Sequence, residues 1–343
     1  MPKALIVGVP GPDLDSATRR LLTDIDPLGF ILFARNVENP AQVRALVADL
    51  RNTIGRADAP VLIDQEGGRV ARLKPPHWRA APPASVFGRL AARNPEGAKR
   101  AVHLNAQLIG AELAALGINV DCAPVCDVPA ADADPIIGDR AFATDPETVA
   151  VLARCFCAGL SAAGVLPVIK HIPGHGRAEV DSHKALPRVT AAGGDLAQHD
   201  FAPFAALSDI KAPVPWAMTA HVIYTAHDAQ APATLSGRVI ADVIRGTIGF
   251  SGIVISDDLS MQALSGPFAA RAQDALAAGC DLALHCNGKA DEMAQVAEGC
   301  TSIGAATAKR LKASLGALST GTDFDHENAL ATLAELLAGD DAR

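Results

Sequence analysis

Aromatic residues make up only 4% of this 343-residue sequence, with a single tyrosine, and an excess of positive charge is missing altogether. The formal net charge is −8, and no basic stripe interleaved with aromatics occurs, so nucleic acid is not an expected partner. No uninterrupted apolar run approaches the roughly 18 residues of a membrane span. The first residues, MPKALIVGVPGPDLD, hold one lysine and a short apolar run before Asp13 and Asp15. They read as a first strand and not as a secretory signal, and the expected location is cytoplasmic. Seven cysteines form no CxxC pair. Cys155 and Cys157 sit in a helical pattern, and Cys122 and Cys126 flank an Ala-Pro step. Neither spacing fits a zinc knuckle or a disulfide framework, which leaves buried free thiols in a reducing compartment. The first turn, GVPGPD, lacks the dinucleotide fingerprint and no P-loop follows, so no cofactor is expected. Linkers and solenoid repeats are also missing. The expectation is one domain over 1–343, with nothing to suggest an obligate assembly, hence a monomer.

What is present is a regular alternation. Apolar runs of strand length lie at 4–9, 29–33, 60–64, 118–121, 166–170, 215–220, 252–256 and 281–285. Helical patterns fall between them, including 42–54, 96–116, 148–163, 235–246, 261–279 and 292–315. Eight strands, each followed by a helix, describe an α/β chain folded as a (β/α)8 TIM barrel. The competing doubly wound sheet normally has fewer strands and carries the missing glycine fingerprint. The proline-rich KPPHWRAAPP at 74–83 reads as a rim loop, residues about 325–338 as a last helix, and 339–343 as a frayed end.

The densest chemistry is at 166–187, LPVIKHIPGHGRAEVDSHKALP. An apolar strand breaks at Pro173-Gly174 into a loop bearing Lys170, His171, His175, Arg177, Asp181, His183 and Lys184. Barrel strands present catalytic groups from such loops at their C-terminal ends. Other strand ends add Asp64 with Glu66, Arg69 and Arg72, then His221, and then Ser256-Asp257-Asp258. Three chemistries fit. A metal triad of His171, Asp181 and His183 is one, although Pro173 and Gly174 forbid a helix carrying His171 and His175 on one face. An anion cradle of GHG with Lys170 and Arg177 is another. In the third, Asp257 attacks an anomeric carbon while His183, its tautomer fixed by Asp181, protonates the leaving oxygen. The plain alternative for Asp-Ser-His is an Asx-type turn with an exposed histidine.

KHIPGHG (170–176) with DSH (181–183), SDDLSM (256–261), DQEGGRVARL (64–73) and LGFILFARN (28–36) together resemble glycoside hydrolase family 3, and within it the single-domain bacterial β-N-acetylglucosaminidases. The resemblance runs from the second strand to the region of Cys286. It implies a barrel and a retaining double displacement, with Asp257 as nucleophile and His183, paired with Asp181, as acid/base. It also implies that Asp64, Arg72, Arg140 (in IIGDRAF, 136–142), Lys170 and His171 hold the N-acetylglucosamine ring. The substrate implied is a small carbohydrate or muropeptide fragment of the cell wall, with neither metal nor cofactor. Retaining enzymes usually place two carboxyl groups roughly 5–5.5 Å apart. A histidine in place of one of them avoids repulsion with the nucleophile. A β-glucosidase of the same family usually draws a glutamate acid from a second domain, for which this chain has no room. A glycoside phosphorylase and a non-catalytic sugar-binding barrel remain as alternatives. Arg177 departs from the family pattern, and an effect on the loop or a subsite is expected of it.

Overall fold

Strand faces alternate, and that alternation builds the architecture. In the computed structural model, which describes residues 1–131, 133–211, 213–318 and 324–338, eight parallel strands close into a barrel in sequential order. They are β1 (Lys3–Gly8), β2 (Pro27–Leu32), β3 (Val61–Ile63), β4 (Val120–Asp121), β5 (Leu166–Ile172), β6 (Trp216–Thr219), β7 (Val254–Asp258) and β8 (Leu282–His285). Closure comes from β1 pairing with β8 through Leu5↔Ala283, Ile6↔Leu284 and Val7↔His285. Successive residues on a strand point to opposite faces. Thus Ala4, Ile6, Leu62, Val120, Val168, Met218 and Leu284 fill the barrel interior, while Leu5, Val7, Ile63, Ile169, Ala217 and Ala283 face the surrounding helices.

The helices are α1 (Ser16–Ile25), α2 (Pro40–Thr53), α3 (Ala84–Arg93), α4 (Pro95–Ala114), α5 (Pro146–Ala162), α6 (Gly193–Gln198), α7 (Ala202–Leu207), α8 (Phe268–Ala278), α9 (Ala290–Gly299), α10 (Ala305–Gly316) and α11 (His326–Leu337). A wide π-wound turn, Val239–Thr247, covers the barrel after β6, where the sequence predicts a helix over 235–246. Caps set several starts. Asn39 Oδ1 accepts from the Ala41 and Gln42 N–H groups at 3.1 and 3.0 Å, so α2 begins ahead of the expected residue 42.

Two expected helices are corrected. The one predicted at 261–279 begins only at Phe268, because residues 259–267 form turns stitched by Met261 N–H to Asp258 O and Leu264 N–H to Met261 O. The one predicted at 292–315 is two helices. Residues between them pair with the N-terminus instead, through a Lys3↔Ser302 bridge and a 3.0 Å bond from Ile303 N–H to Pro2 O. The rim excursion after β3 also carries a helix, α3, that the periodicity does not reveal. The last helix runs over His326–Leu337, and 339–343 lie outside the described residues.

At the opposite end from the strand C-termini, buried Asp281 accepts from Val254 N–H at 3.0 Å, Arg245 at 2.8 Å, Thr307 at 2.9 Å and Arg310. This carboxylate ties α10 and the π-wound turn to the sheet. All seven cysteines are free, and only Cys155 is not buried. Among the described residues, no helix is long and apolar enough to cross a membrane.

Candidate active site

The C-terminal ends of the strands surround a cavity of about 370 Å³. One wall is a cluster of charges, with Lys170 and Glu66 buried and Asp64, Arg72 and Arg140 half-buried. Lys170, near the end of β5, donates to Asp64 Oδ1 at 2.9 Å and lies 2.7 Å from Glu66 Oε1. Arg72 donates to the other oxygen of Asp64 at 2.9 Å. Arg140 grips Glu66 with two parallel bonds of 2.8 Å each. Burial works against ionising these acids, but the cations outweigh it. Lys170 and Arg72 hold Asp64 well below the usual carboxylate range. Against the same burial, Lys170 and Arg140 bring Glu66 down to about 2. For Lys170, burial is likewise overridden, here by Asp64 and Glu66, and its pKa is raised. Every member of this wall is therefore charged, fixed and able to meet sugar hydroxyls with a donor or an acceptor.

Beside it stand two histidines on one carboxylate. Asp127, wholly buried, accepts from His171 N–H at 3.1 Å and His175 N–H at 2.7 Å. It lies 2.6 Å from His171 Nδ1. A carboxylate accepts only, so Nδ1 carries the proton and Nε2 of His171 is left for the cavity. Burial is again opposed, mainly by His171, and Asp127 falls to about 2.

Over the cavity hangs the Asp181-Ser182-His183 segment. A single oxygen of Asp181 accepts from the His183 backbone N–H at 2.9 Å and from its Nδ1 at 2.8 Å. The Asx turn and the oriented histidine are thus one and the same feature. The His183 side chain is 62% exposed, and among the described residues no hydrogen bond is made by its Nε2. Below, Asp257 at the end of β7 accepts from Asp258 N–H at 2.7 Å through one oxygen. Burial raises the Asp257 pKa, yet His221, His171 and His183 more than offset it and keep the carboxylate ionised. His221 itself is pushed down by burial. It donates from Nε2 to Asp258 O at 3.0 Å, while its Nδ1 faces Thr234 Oγ1 at 2.7 Å. Asp258 is occupied with Ser260 and the Cys286 N–H.

Asp64, Arg72, Arg140, Lys170, His171, His183 and Asp257 therefore line one cavity, with Asp181 behind His183. For two alternatives from the sequence, the structure pairs the residues differently. His171 is committed to Asp127 instead of joining Asp181 and His183, and among the described residues no group of three His, Cys, Asp or Glu side chains is set to hold a metal ion. Of the anion-cradle residues, Lys170 is paired with Asp64 and Glu66, and Arg177 with Asp200 at 2.6 Å. Arg177 is a loop anchor and not a cavity residue. The sequence reading assigns no role to Asp127, or to Glu66 as the partner of Arg140. The one available signal is their position, just past the ends of β4 and β3.

Beneath the cluster, Asp121 is fully buried and accepts from Gln65 N–H at 2.9 Å. Burial pushes its carboxyl up from an ordinary 3.8 to about 8. A folded pKa above the unfolded one contributes stability that is complete below the unfolded value and is lost as pH rises through the folded one. Asp121→Asn removes this dependence. Its thermal midpoint relative to the wild type is expected to rise between about pH 5 and about pH 8. A constant offset over that range would mean that Asp121 is ionised throughout.

The profile described as the glycosyl hydrolase family 3 N-terminal domain matches residues 5–318. A β-hexosaminidase of Alkalilimnicola ehrlichii is 42% identical over 285 residues, covering 82% of this chain and 80% of its own. One from Pseudomonas aeruginosa is 40% identical over 292 residues, 84% of each chain. Among solved structures, NagZ from Neisseria gonorrhoeae in complex with N-trifluoroacetyl-D-glucosamine superposes with a TM-score of 0.87 at 30% identity, over 98% of both chains.

Proposed function

The chain belongs to glycosyl hydrolase family 3 and is a glycosidase of the β-hexosaminidase type, and we propose that it removes a non-reducing terminal N-acetylglucosamine from cell-wall muropeptide fragments with retention of configuration. The observation that carries this reading is the convergence of Asp257, the Asp181–His183 pair and the Asp64–Lys170–Arg140 wall on one ring-sized cavity. The N-trifluoroacetyl-D-glucosamine bound by the gonococcal relative supports the sugar, and the resemblance to single-domain bacterial enzymes supports the cell-wall fragment.

The chemistry follows from the geometry. The unencumbered oxygen of Asp257 attacks the anomeric carbon as the bond to the leaving oxygen breaks. That oxygen takes the electron pair, together with the proton on His183 Nε2. Asp181 holds Nδ1–H, which leaves Nε2 as the only site of transfer. The neutral imidazole then accepts a proton from water, the hydroxide oxygen bonds to the anomeric carbon, and the ester to Asp257 opens. Asp64 and Lys170 suit vicinal hydroxyls, while Arg72, Arg140 and His171 donate around the same ring. We read 1–343 as a single catalytic barrel that works as a monomer in the cytoplasm.

The direct test is hydrolysis of 4-nitrophenyl β-N-acetylglucosaminide with the β-glucoside as control. The wild type should cleave only the first. His183→Ala should keep activity on leaving groups that depart without a proton and lose roughly 10²- to 10⁴-fold on those that need one. Equal rates on both glycosides would make the enzyme a β-glucosidase. A requirement for inorganic phosphate would make it a phosphorylase, and binding without turnover a sugar-binding barrel.

A further inference from the structure

We propose that the hydrogen bond between His175 and Ser182 latches the His183-bearing segment over the cavity, which makes both residues positioning residues for proton delivery to the leaving group. The inference rests on the reading of His183 as acid/base.

The loop after β5 has two differently held halves. Its first half is fastened to the barrel. His175 N–H donates to Asp127 at 2.7 Å, Tyr224 O–H to Gly174 O at 2.6 Å, and Asp134 N–H to Ala178 O at 2.8 Å. Gly176 passes so close to Val128 O that a Cβ there would lie 2.0 Å from it. From residue 179 to residue 186 the bonds turn inward. Lys184 and Ala185 N–H donate to Asp181 O at 2.9 and 3.1 Å, and both His183 bonds go to Asp181. Among the described residues, one hydrogen bond leaves this half, between Ser182 Oγ and His175 Nε2 at 3.0 Å.

Burial singles out the same residue. Ser182 is 4% exposed, between Asp181 and His183, whose side chains are 12% and 62% exposed. A small polar side chain inserted below an exposed catalytic one fixes where that one hangs. His175 is a suitable receiver because burial pushes it down to about 4, so the bond joins two neutral groups at ordinary pH. Either tautomer can make it, since the serine hydroxyl both donates and accepts. An acid held by one such bond loses its geometry, and not its chemistry, when the bond is removed.

The test uses the full chain and two readouts. In Ser182→Ala, amide hydrogen exchange over 179–186 should quicken while the rest of the barrel is unchanged. Turnover of N,N′-diacetylchitobiose, whose sugar leaving group needs a proton, should fall about 10-fold further than turnover of the 4-nitrophenyl glycoside. Ser182→Thr retains the hydroxyl and should restore both. His175→Ala should reproduce the serine variant, and the double variant should be no worse than either single one. Unchanged exchange in Ser182→Ala overturns the latch, and equal losses on the two substrates overturn its role in positioning the acid. If the wild type cleaves neither glycoside, the functional reading fails, but the exchange result still decides whether the latch exists.

Discussion

Asp257→Ala is expected to lower turnover of the 4-nitrophenyl β-N-acetylglucosaminide by at least about 10³-fold, with little change in folding stability. One Asp257 oxygen is spent on the Asp258 N–H, and among the described residues the other accepts no hydrogen bond. The nearby carboxylates cannot substitute for it. Asp64 and Glu66 are enclosed by Lys170, Arg72 and Arg140, and Asp258 is held by Ser260 and the Cys286 N–H. Removing the carboxylate also opens room for a small anion. Azide added to Asp257→Ala should then restore turnover and yield the α-glycosyl azide, the product of a single displacement from the nucleophile's side. Full activity in the variant without azide would mean that the nucleophile lies elsewhere.

The second large effect is expected at Lys170. Lys170→Met keeps the length of the side chain but leaves Asp64 and Glu66 buried with one cation fewer between them. Stranding a buried charge in this way costs about 3–5 kcal/mol, and an equilibrium denaturant titration should show it. The sign of the pH dependence provides a second check. In the wild type, folded pKa values below the unfolded ones give stability that is present above about pH 4 and is lost as pH falls through the folded values, about 2 for Glu66. Without Lys170, burial prevails over the remaining cations and the two acids move upward, so acid unfolding should begin at higher pH. Lys170→Arg should not rescue it, because the planar guanidinium cannot occupy the point between two carboxylates that an ammonium fills. A loss below about 1 kcal/mol would mean that the acids relax by taking up protons or water.

The barrel is legible in the sequence because its two determinants are local: short apolar runs, buried on both faces, and the helical pattern that follows most of them. Loop chemistry is legible for a related reason. A strand end such as Ile255-Ser256-Asp257 moves from apolar to acidic within a few residues, and in a closed barrel all such ends share one rim. Partnership is harder to see. Lys170 and Asp64 are 106 residues apart in the chain, Arg140 and Glu66 are 74 apart, and His171 and Asp127 are 44 apart. Read singly, each is an ordinary loop charge, and nothing local distinguishes Glu66, which organises two cations, from Glu179, which does not. One helix prediction failed against local turns, at 259–267, and another against a remote partner. The break near residue 302 exists because the N-terminal strand claims those residues.

Pairing of Leu5 with Ala283 closes the sheet, and this sets a schedule for biosynthesis. A nascent chain makes β1 before every other strand of the barrel and must keep its open edge unpaired until β8 has left the ribosome. At typical rates of roughly 5–20 residues per second, that interval is on the order of tens of seconds. Through all of it, one face of β1 lacks its partner. The charged wall draws on the ends of β3, β4 and β5, whereas the strand carrying Asp257 is the last but one of the barrel to emerge. On the ribosome, every residue of the charged wall, from Asp64 to Lys170, therefore precedes Asp257.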